Sequence, residues 1–182
     1  MPSAQSQRYN TVAIILHWIT AALIIYMLIF GEDLIKDKRW LSPPVPAENP
    51  GLHAALGFSI LLLTVARLVW RLMNPPPADV PMPAWQAKAS HALHWGFYAL
   101  LFLIPLSGLA ELAKSIAKRH PEYANLTYLN LFPYPTFSMD WFGNLHDLFT
   151  KLAWALLAVH VLAALKHQFI DKDNLLKRML PH

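Results

Sequence analysis

The apolar positions of this chain gather into four long runs, with charged residues mainly at their ends. The runs cover about residues 12–30, 52–72, 89–110 and 145–169. A helix needs about 20 mostly apolar residues to cross the hydrocarbon core of a bilayer. The pattern therefore predicts an all-α, integral membrane four-helix bundle, forming a single domain over residues 1–182.

Proline-rich connections separate the runs. Residues 42–46 and 74–77 cannot continue a helix, because proline lacks the N–H and clashes with the preceding turn. The longest connection, about residues 111–144, is rich in aromatics, and we expect it to fold over one mouth of the bundle. Pro105 lies inside the third run, where it should kink the helix.

Composition narrows the class of protein. Of the 182 residues, 55% are hydrophobic and 14% are charged, whereas a soluble domain carries about a quarter charged residues. The absence of cysteine excludes disulfides, iron–sulfur clusters and covalent haem attachment. The net charge of +4 comes from dispersed basic residues that flank apolar runs, so we expect no nucleic-acid binding. The first run is longer than a signal-peptide core and no cleavage site follows it, which favours a retained helix.

Basic residues set the expected orientation. Four spans place both termini on one side of the membrane. We assign that side to the cytoplasm by the positive-inside rule, because it holds eight basic residues and the opposite side holds seven. The cytoplasmic set is Arg8, Arg67, Arg71, Lys88, Lys166, Lys172, Lys177 and Arg178. The opposite, outer set is Lys36, Lys38, Arg39, Lys114, Lys118, Arg119 and Lys151.

Two histidines of the fourth run have the spacing of a double haem site. His146 and His160 are fourteen residues apart, so they share a helix face at levels ~21 Å apart. By depth, His53 matches His146 on the outer side, and His17 matches His160 on the cytoplasmic side. Each pair comes from two helices, as bis-histidine ligation of a haem requires. A single buried histidine could equally be a hydrogen-bonded polar group, but four that pair by depth favour iron ligation.

Two further positions belong to this arrangement. Arg67 follows His53 by fourteen residues, which places its guanidinium near the inner haem, where it could neutralise a propionate. The alternative is an ordinary basic residue at a helix end. Gly57, one turn after His53, could let the outer macrocycle approach the backbone, or could be a helix–helix contact.

The remaining histidines have no depth partner in this scheme. A neutral histidine beside a haem edge suits a quinone carbonyl, because it can donate a hydrogen bond and then a proton. His167 and His94 are the candidates, with contact to lipid headgroups as the alternative. His91 is a weaker candidate, and we interpret His120 and His182 as solvated.

These residues together resemble the bacterial cytochrome b561 family of small di-haem membrane proteins, which is grouped with the cytochrome b subunits of nickel–iron hydrogenases. The resemblance covers nearly the whole chain. It is carried by Arg8-Tyr9, His17-Trp18, His53, Gly57, Ala66-Arg67-Leu68, His91, His94, Pro105-Leu106-Ser107-Gly108, His146, His160, Lys166-His167, Asp171-Lys172-Asp173-Asn174-Leu175-Leu176 and Arg178-Met179.

The resemblance implies two haem b groups with His17, His53, His146 and His160 as axial ligands. It also implies that superoxide, or another periplasmic donor, gives electrons on the outer side of the bacterial inner membrane. Ubiquinone would accept them near the cytoplasmic side, at a site that includes His167. The connection after the third run departs from the family, but its Lys114, Lys118 and Arg119 could attract an anion such as superoxide.

Two other functions compete with this interpretation. An electron-transfer subunit that anchors a hydrogenase or dehydrogenase would share the haems and have no substrate chemistry of its own. A histidine-lined metal transporter would need carboxylates within the spans, and Asp147 is the only candidate.

Overall fold

The computed structural model describes residues 8–36, 51–119 and 121–180. Four of its helical segments are long and apolar enough to cross a membrane, which confirms the predicted all-α, four-span architecture. Some sequence features lie outside the described residues. They are the side chain of Lys36, and Lys38, Arg39, residues 42–46, His120 and His182.

The elements are connected in a simple up-and-down order, with a small hairpin before the last span. In chain order they are α1 (Thr11–Lys36), α2 (Gly51–Met73), α3 (Ala84–Lys118), a 3-10 turn (Pro121–Asn125), β1 (Thr127–Tyr128), β2 (Phe132–Pro133), α4 (Asp140–Gly143), α5 (His146–Lys166), a π-helical turn (His167–Asp171) and a 3-10 turn (Leu176–Met179). The two strands pair antiparallel, with Tyr128 opposite Phe132.

Apolar side chains cover the outside of the bundle as well as its centre. Leu72 and Ile170 are 73% and 74% exposed, and Ile15 on α1 is half exposed. A helix that is apolar all round belongs in a large core or in a membrane. Since these side chains face outward, lipid is the solvent that suits this surface.

Helix α3 is the centre of the bundle and is longer than predicted. It spans 35 residues, about 52 Å, and so extends well beyond a ~30 Å hydrocarbon core. The predicted end near residue 110 marked the first charge, not the end of the helix. Glu111, Lys114 and Lys118 therefore lie on α3 rather than in a loop, because residues 111–120 contain no glycine or proline and Glu and Lys are good helix formers. The helix also continues through the buried Pro105.

Each end of the bundle gathers a different set of residues. We call the end with Gly31, His53 and His146 the outer end, and the end with Asn10 and Lys166 the inner end. The closest helix pairs are α1–α2, α2–α3 and α3–α5. Contacts of α5 with α1 and α2 are sparse among the described residues, and the histidines face each other across that gap.

The long connection folds over the outer end, as predicted. The Phe58 ring of α2 lies 5.0 Å from the Tyr128 ring and 5.9 Å from the Tyr134 ring, measured between centroids. The Tyr128 hydroxyl is 3.1 Å from Ser59 Oγ. Burial raises the pKa of the Tyr134 phenol, which keeps it protonated. The hairpin thus covers one side of α2 beside His53.

The C-terminal turn closes the inner end. The Trp18 indole donates to the Met179 carbonyl at 2.6 Å, and Arg8 Nη2 donates to the Lys177 carbonyl at 3.0 Å. Arg178 Nη2 donates to the Ala78 carbonyl at 2.8 Å. The end of the chain is therefore tied both to the start of α1 and to the connection between α2 and α3.

Asn10 joins the starting turn of α1 to the last turn of α2. Its Oδ1 accepts the Ala13 N–H and the Trp70 indole N–H, both at 2.9 Å. We expect Asn10→Ala to lower the free energy of unfolding by about 1–2 kcal/mol, because a cap and an interhelical bond are lost together. Thermal unfolding in detergent, followed by circular dichroism, measures the effect. Asn10→Asp keeps the acceptor and should retain most of the stability; equal loss in both variants would contradict the capping role.

Candidate functional site

The outer histidines face each other between α2 and α5. The His53 and His146 ring centroids are 6.1 Å apart, with the ring planes at 63°. An iron atom between two imidazole nitrogens, at metal–nitrogen lengths of ~2 Å, puts the ring centroids about 6 Å apart. The separation of this pair therefore fits a shared iron.

Hydrogen bonds decide which nitrogen of each outer ring could bind iron. His53 Nδ1 lies 2.8 Å from the Gly31 carbonyl, and His146 Nδ1 lies 2.9 Å from the Ile104 carbonyl. Because a carbonyl oxygen only accepts, Nδ1 carries the proton in both rings, and Nε2 keeps its lone pair. Histidines that ligate metals almost always donate the other N–H in this way. Ser107 Oγ, which also donates to the Ile104 carbonyl at 2.9 Å, lies 3.1 Å from His146 Nδ1.

Two glycines make room for these rings. A Cβ atom on Gly108 would lie 3.2 Å from His146 Cε1, and one on Gly31 would lie 3.4 Å from His53 Cε1. The first separation is tighter than ordinary van der Waals contact. The small residue at position 108 thus lets His146 reach the Ile104 carbonyl.

A cleft opens around the outer pair. Its empty volume is about 1310 Å³, including the open mouth, and most of its lining is apolar. A Cβ on Gly57, which lines the cleft, would meet nothing within 4 Å. This open space beside Gly57 favours the cofactor alternative over a helix–helix contact. Facing imidazoles in an apolar cleft are what a flat, largely apolar macrocycle requires.

The inner histidines form a cluster of three rather than a pair. The His160 centroid lies 6.4 Å from that of His17 and 6.1 Å from that of His94. Spacing along the helices left His94 without a partner, and the structure corrects this, because α3 turns the ring toward α5. Phe97, one turn further along, contacts the same His160 ring at 5.4 Å.

Arg67 reaches the inner cluster, at the level that its spacing predicted. Its Nη2 donates to His17 Nδ1 at 3.3 Å, and its guanidinium lies 5.8 Å from the centre of the Tyr98 ring. His17 Nδ1 thus accepts, whereas Nδ1 donates in both outer rings. For Nε2 of His17 to bind iron, Arg67 must release Nδ1. A carboxylate nearby, such as a propionate, would compete for this guanidinium.

His167 belongs to a separate acidic cluster after α5. Its Nδ1 lies 2.6 Å from Asp173 Oδ2 and 3.2 Å from Asp171 Oδ2. Three such groups could hold a metal ion, but the Lys166 ammonium already lies 2.5 Å from the same Asp171 oxygen. The cluster is therefore better suited to orient His167. The sequence signal for it was the pair of carboxylates four and six residues after the histidine.

Charges line the rim of the outer end. Lys114 Nζ donates to both Glu111 oxygens, at 3.0 and 3.3 Å, and to Asn144 Oδ1 at 2.7 Å. Lys118 pairs with Asp140. Arg119, next to the end of α3, also lies 3.4 Å from Glu111, so three cations pair with the two carboxylates Glu111 and Asp140. At the other end, His91 pairs with Asp79 at an exposed position, 3.0 Å apart.

An apolar four-helix bundle with facing imidazoles at both ends defines a class: a membrane-spanning protein built to hold haem. Comparison of the chain with known protein families shows which family it is. The model of the prokaryotic cytochrome b561 family matches residues 8–182, and the chain belongs to that family. The family binds haem b, and its members are multi-pass bacterial membrane proteins of electron transport.

Several relatives align over nearly the whole chain. Cytochrome b561 homolog 2 of Escherichia coli strain K12 is 31% identical, over 96% of this chain and 92% of its own length. A Yersinia pestis protein named probable superoxide oxidase CybB is 27% identical, over 96% and 97%. Cytochrome b562 of Cereibacter sphaeroides is also 27% identical, over 97% of both chains.

Adding a methyl group at position 108 tests the role of the glycine. We expect Gly108→Ala to push His146 away from the Ile104 carbonyl and to lower the haem content of the purified protein by up to half. Pyridine haemochrome spectra, normalised to protein, measure the ratio. Ala117→Ser adds one heavy atom at an exposed position of the same helix and should leave the ratio unchanged. Unchanged haem in Gly108→Ala would show that the close approach is not needed.

Proposed function

We propose that this protein is a di-haem b oxidoreductase that moves electrons across the bacterial inner membrane, from superoxide outside to ubiquinone inside. The observation that carries the proposal is the outer pair. Two neutral imidazoles face each other at an iron-compatible separation, each with Nδ1–H on a backbone carbonyl. Hydrogen-bonded rings of fixed tautomer are what ligation requires.

The proposed ligands follow from this geometry. His53 and His146 would hold the iron of the outer haem, and His17 and His160 that of the inner haem. Arg67 would leave His17 and bind an inner propionate. Two haem b groups, when bound, supply the one-electron redox chemistry that no side chain of this protein can supply.

The proposal of superoxide as the donor draws on three cations of α3 and on one relative. Lys114, Lys118 and Arg119 lie at the outer end of that helix, where they could attract a small anion such as superoxide. The outer end as a whole is not cationic, because it also carries the carboxylates Glu32, Asp33, Glu111, Asp140 and Asp147. The relative named as a probable superoxide oxidase adds to this argument. The inner end carries more basic than acidic residues, so by the positive-inside rule both termini would lie in the cytoplasm and the rim outside.

The inner end supports reduction of a quinone, with His167 and His94 as the candidate contacts. Two superoxide ions lose one electron each to give two dioxygen molecules, and ubiquinone takes two electrons and two protons to give ubiquinol. His167 can pass a proton, because Asp173 holds its Nδ1–H and would stabilise the charged ring. Its Nε2 is the atom that we propose for contact with the quinone.

Anaerobic mixing tests both half-reactions. The purified haem-loaded protein should show reduced b-type bands on exposure to a superoxide source, and added ubiquinone should reoxidise them. Reduction by dithionite but not by superoxide would favour the electron-transfer subunit, which should then copurify with an iron–sulfur or cytochrome partner. The absence of any b-type spectrum would refute the haem assignment.

A substitution at the inner end separates quinone chemistry from haem binding. We expect His167→Gln to slow reoxidation by ubiquinone about 100-fold, since an amide can donate a hydrogen bond but cannot release a proton. Haem content and the rate of reduction by superoxide should stay the same. Stopped-flow absorbance measures both rates, and Lys172→Gln, an exposed neighbour, is the control. If His167→Gln reoxidises at the rate of the control, His167 has no part in proton transfer.

A further inference from the structure

The outer cleft has one polar end, formed by the extension of α3 beyond the membrane core. Glu111, Ser115 and Arg119 line the cleft there, whereas the walls around His53 and His146 are mainly apolar. Haem has the same asymmetry, because its two propionates leave from one edge of an apolar ring. We propose that Arg119, with the Ser115 hydroxyl, binds a propionate of the outer haem. This inference rests on the outer haem site proposed above.

Arg119 reaches back along α3 toward that site. Its Nη2 lies 3.5 Å from Ser115 Oγ and 3.4 Å from Glu111 Oε1, which belongs to a residue eight positions earlier. Glu111 is only three residues beyond Gly108, the glycine that touches His146. The guanidinium thus spans two turns of helix and ends within about one turn of the outer imidazole level.

The present contacts of Arg119 are weak. Both lie at the long limit of a hydrogen bond, and both use Nη2 alone among the described residues. Glu111 has a closer cation in Lys114, at 3.0 Å, and α4 holds it in place, since a Cβ on Gly143 would meet Glu111 Oε2 at 2.9 Å. Most donors of the guanidinium fork therefore remain for a second carboxylate.

Lys118, the neighbouring cation, differs from Arg119 in two respects. It pairs with Asp140, and it does not line the cleft. Because Lys118 is adjacent to Arg119 in the chain, the two residues are separated from His53 and His146 by nearly the same number of positions. Lys118→Gln therefore removes one rim charge without removing the proposed contact, and it is the matched control.

A cation on the propionate should favour the reduced haem, because reduction adds one negative charge to the site. We expect Arg119→Gln to lower the equilibrium constant for reduction of the outer haem about tenfold, equivalent to about 59 mV for one electron. Arg119→Lys should recover part of the shift, since it keeps the charge but loses the fork. The inner haem should keep its potential.

Spectroelectrochemical titration of the full, haem-loaded chain measures both potentials, and His53→Ala or Gly108→Ala identifies the outer component. Resonance Raman bands of propionate bending report the contact itself, and Arg119→Gln should shift them. Equal shifts of potential in Arg119→Gln and Lys118→Gln, or unchanged propionate bands, would overturn the contact and leave the haem site intact. A wild-type protein without a second haem component would overturn both the site and the contact.

Discussion

An imidazole in an apolar bundle must place its N–H on an acceptor, and the rest of the outer site depends on where that acceptor lies. In this protein the acceptors are two backbone carbonyls, of Gly31 and Ile104, and each belongs to a helix other than the one that carries the histidine. A helix carbonyl has a second lone pair beyond its own ladder bond, so it can accept this proton without breaking the helix. The bond fixes the tautomer and leaves the lone pair on Nε2, and the small residue at position 108 permits the approach of His146 to the Ile104 carbonyl.

The imidazoles of the inner end are hydrogen-bonded differently. There His17 accepts from a guanidinium instead of donating to a carbonyl, and a third histidine crowds the shared partner His160. The outer rings are therefore held in one tautomer by backbone carbonyls, whereas the tautomer of His17 is set by the Arg67 side chain. A carboxylate that competes for this guanidinium would therefore change the inner site more readily than the outer one.

Much of the fold and of the candidate site could be predicted from the pattern of residues. Four spans, the pairing of His53 with His146 and the level of Arg67 all follow from counting turns along helices of known rise. The end of α3 could not be predicted, because the first charge at Glu111 ends the apolar run without ending the helix. The helical segment beyond Glu111 contains Ser115 and brings Arg119 to the cleft. The contact between His94 and His160 was also hidden, because depth alone does not give the direction in which a ring points.

The order of residues along the chain is enough to predict that lipid surrounds this protein, how many spans it has and how deep each histidine lies. These depend on composition and on helical rise, both of which are local quantities. Packing between the helices was needed to show which nitrogen of each ring is available, that three histidines rather than two meet at the inner end, and that Asp173 holds His167. Those outcomes depend on which carbonyl, guanidinium or carboxylate a neighbouring segment brings within about 3 Å, the range of a hydrogen bond. Distance along the chain carries no information about that.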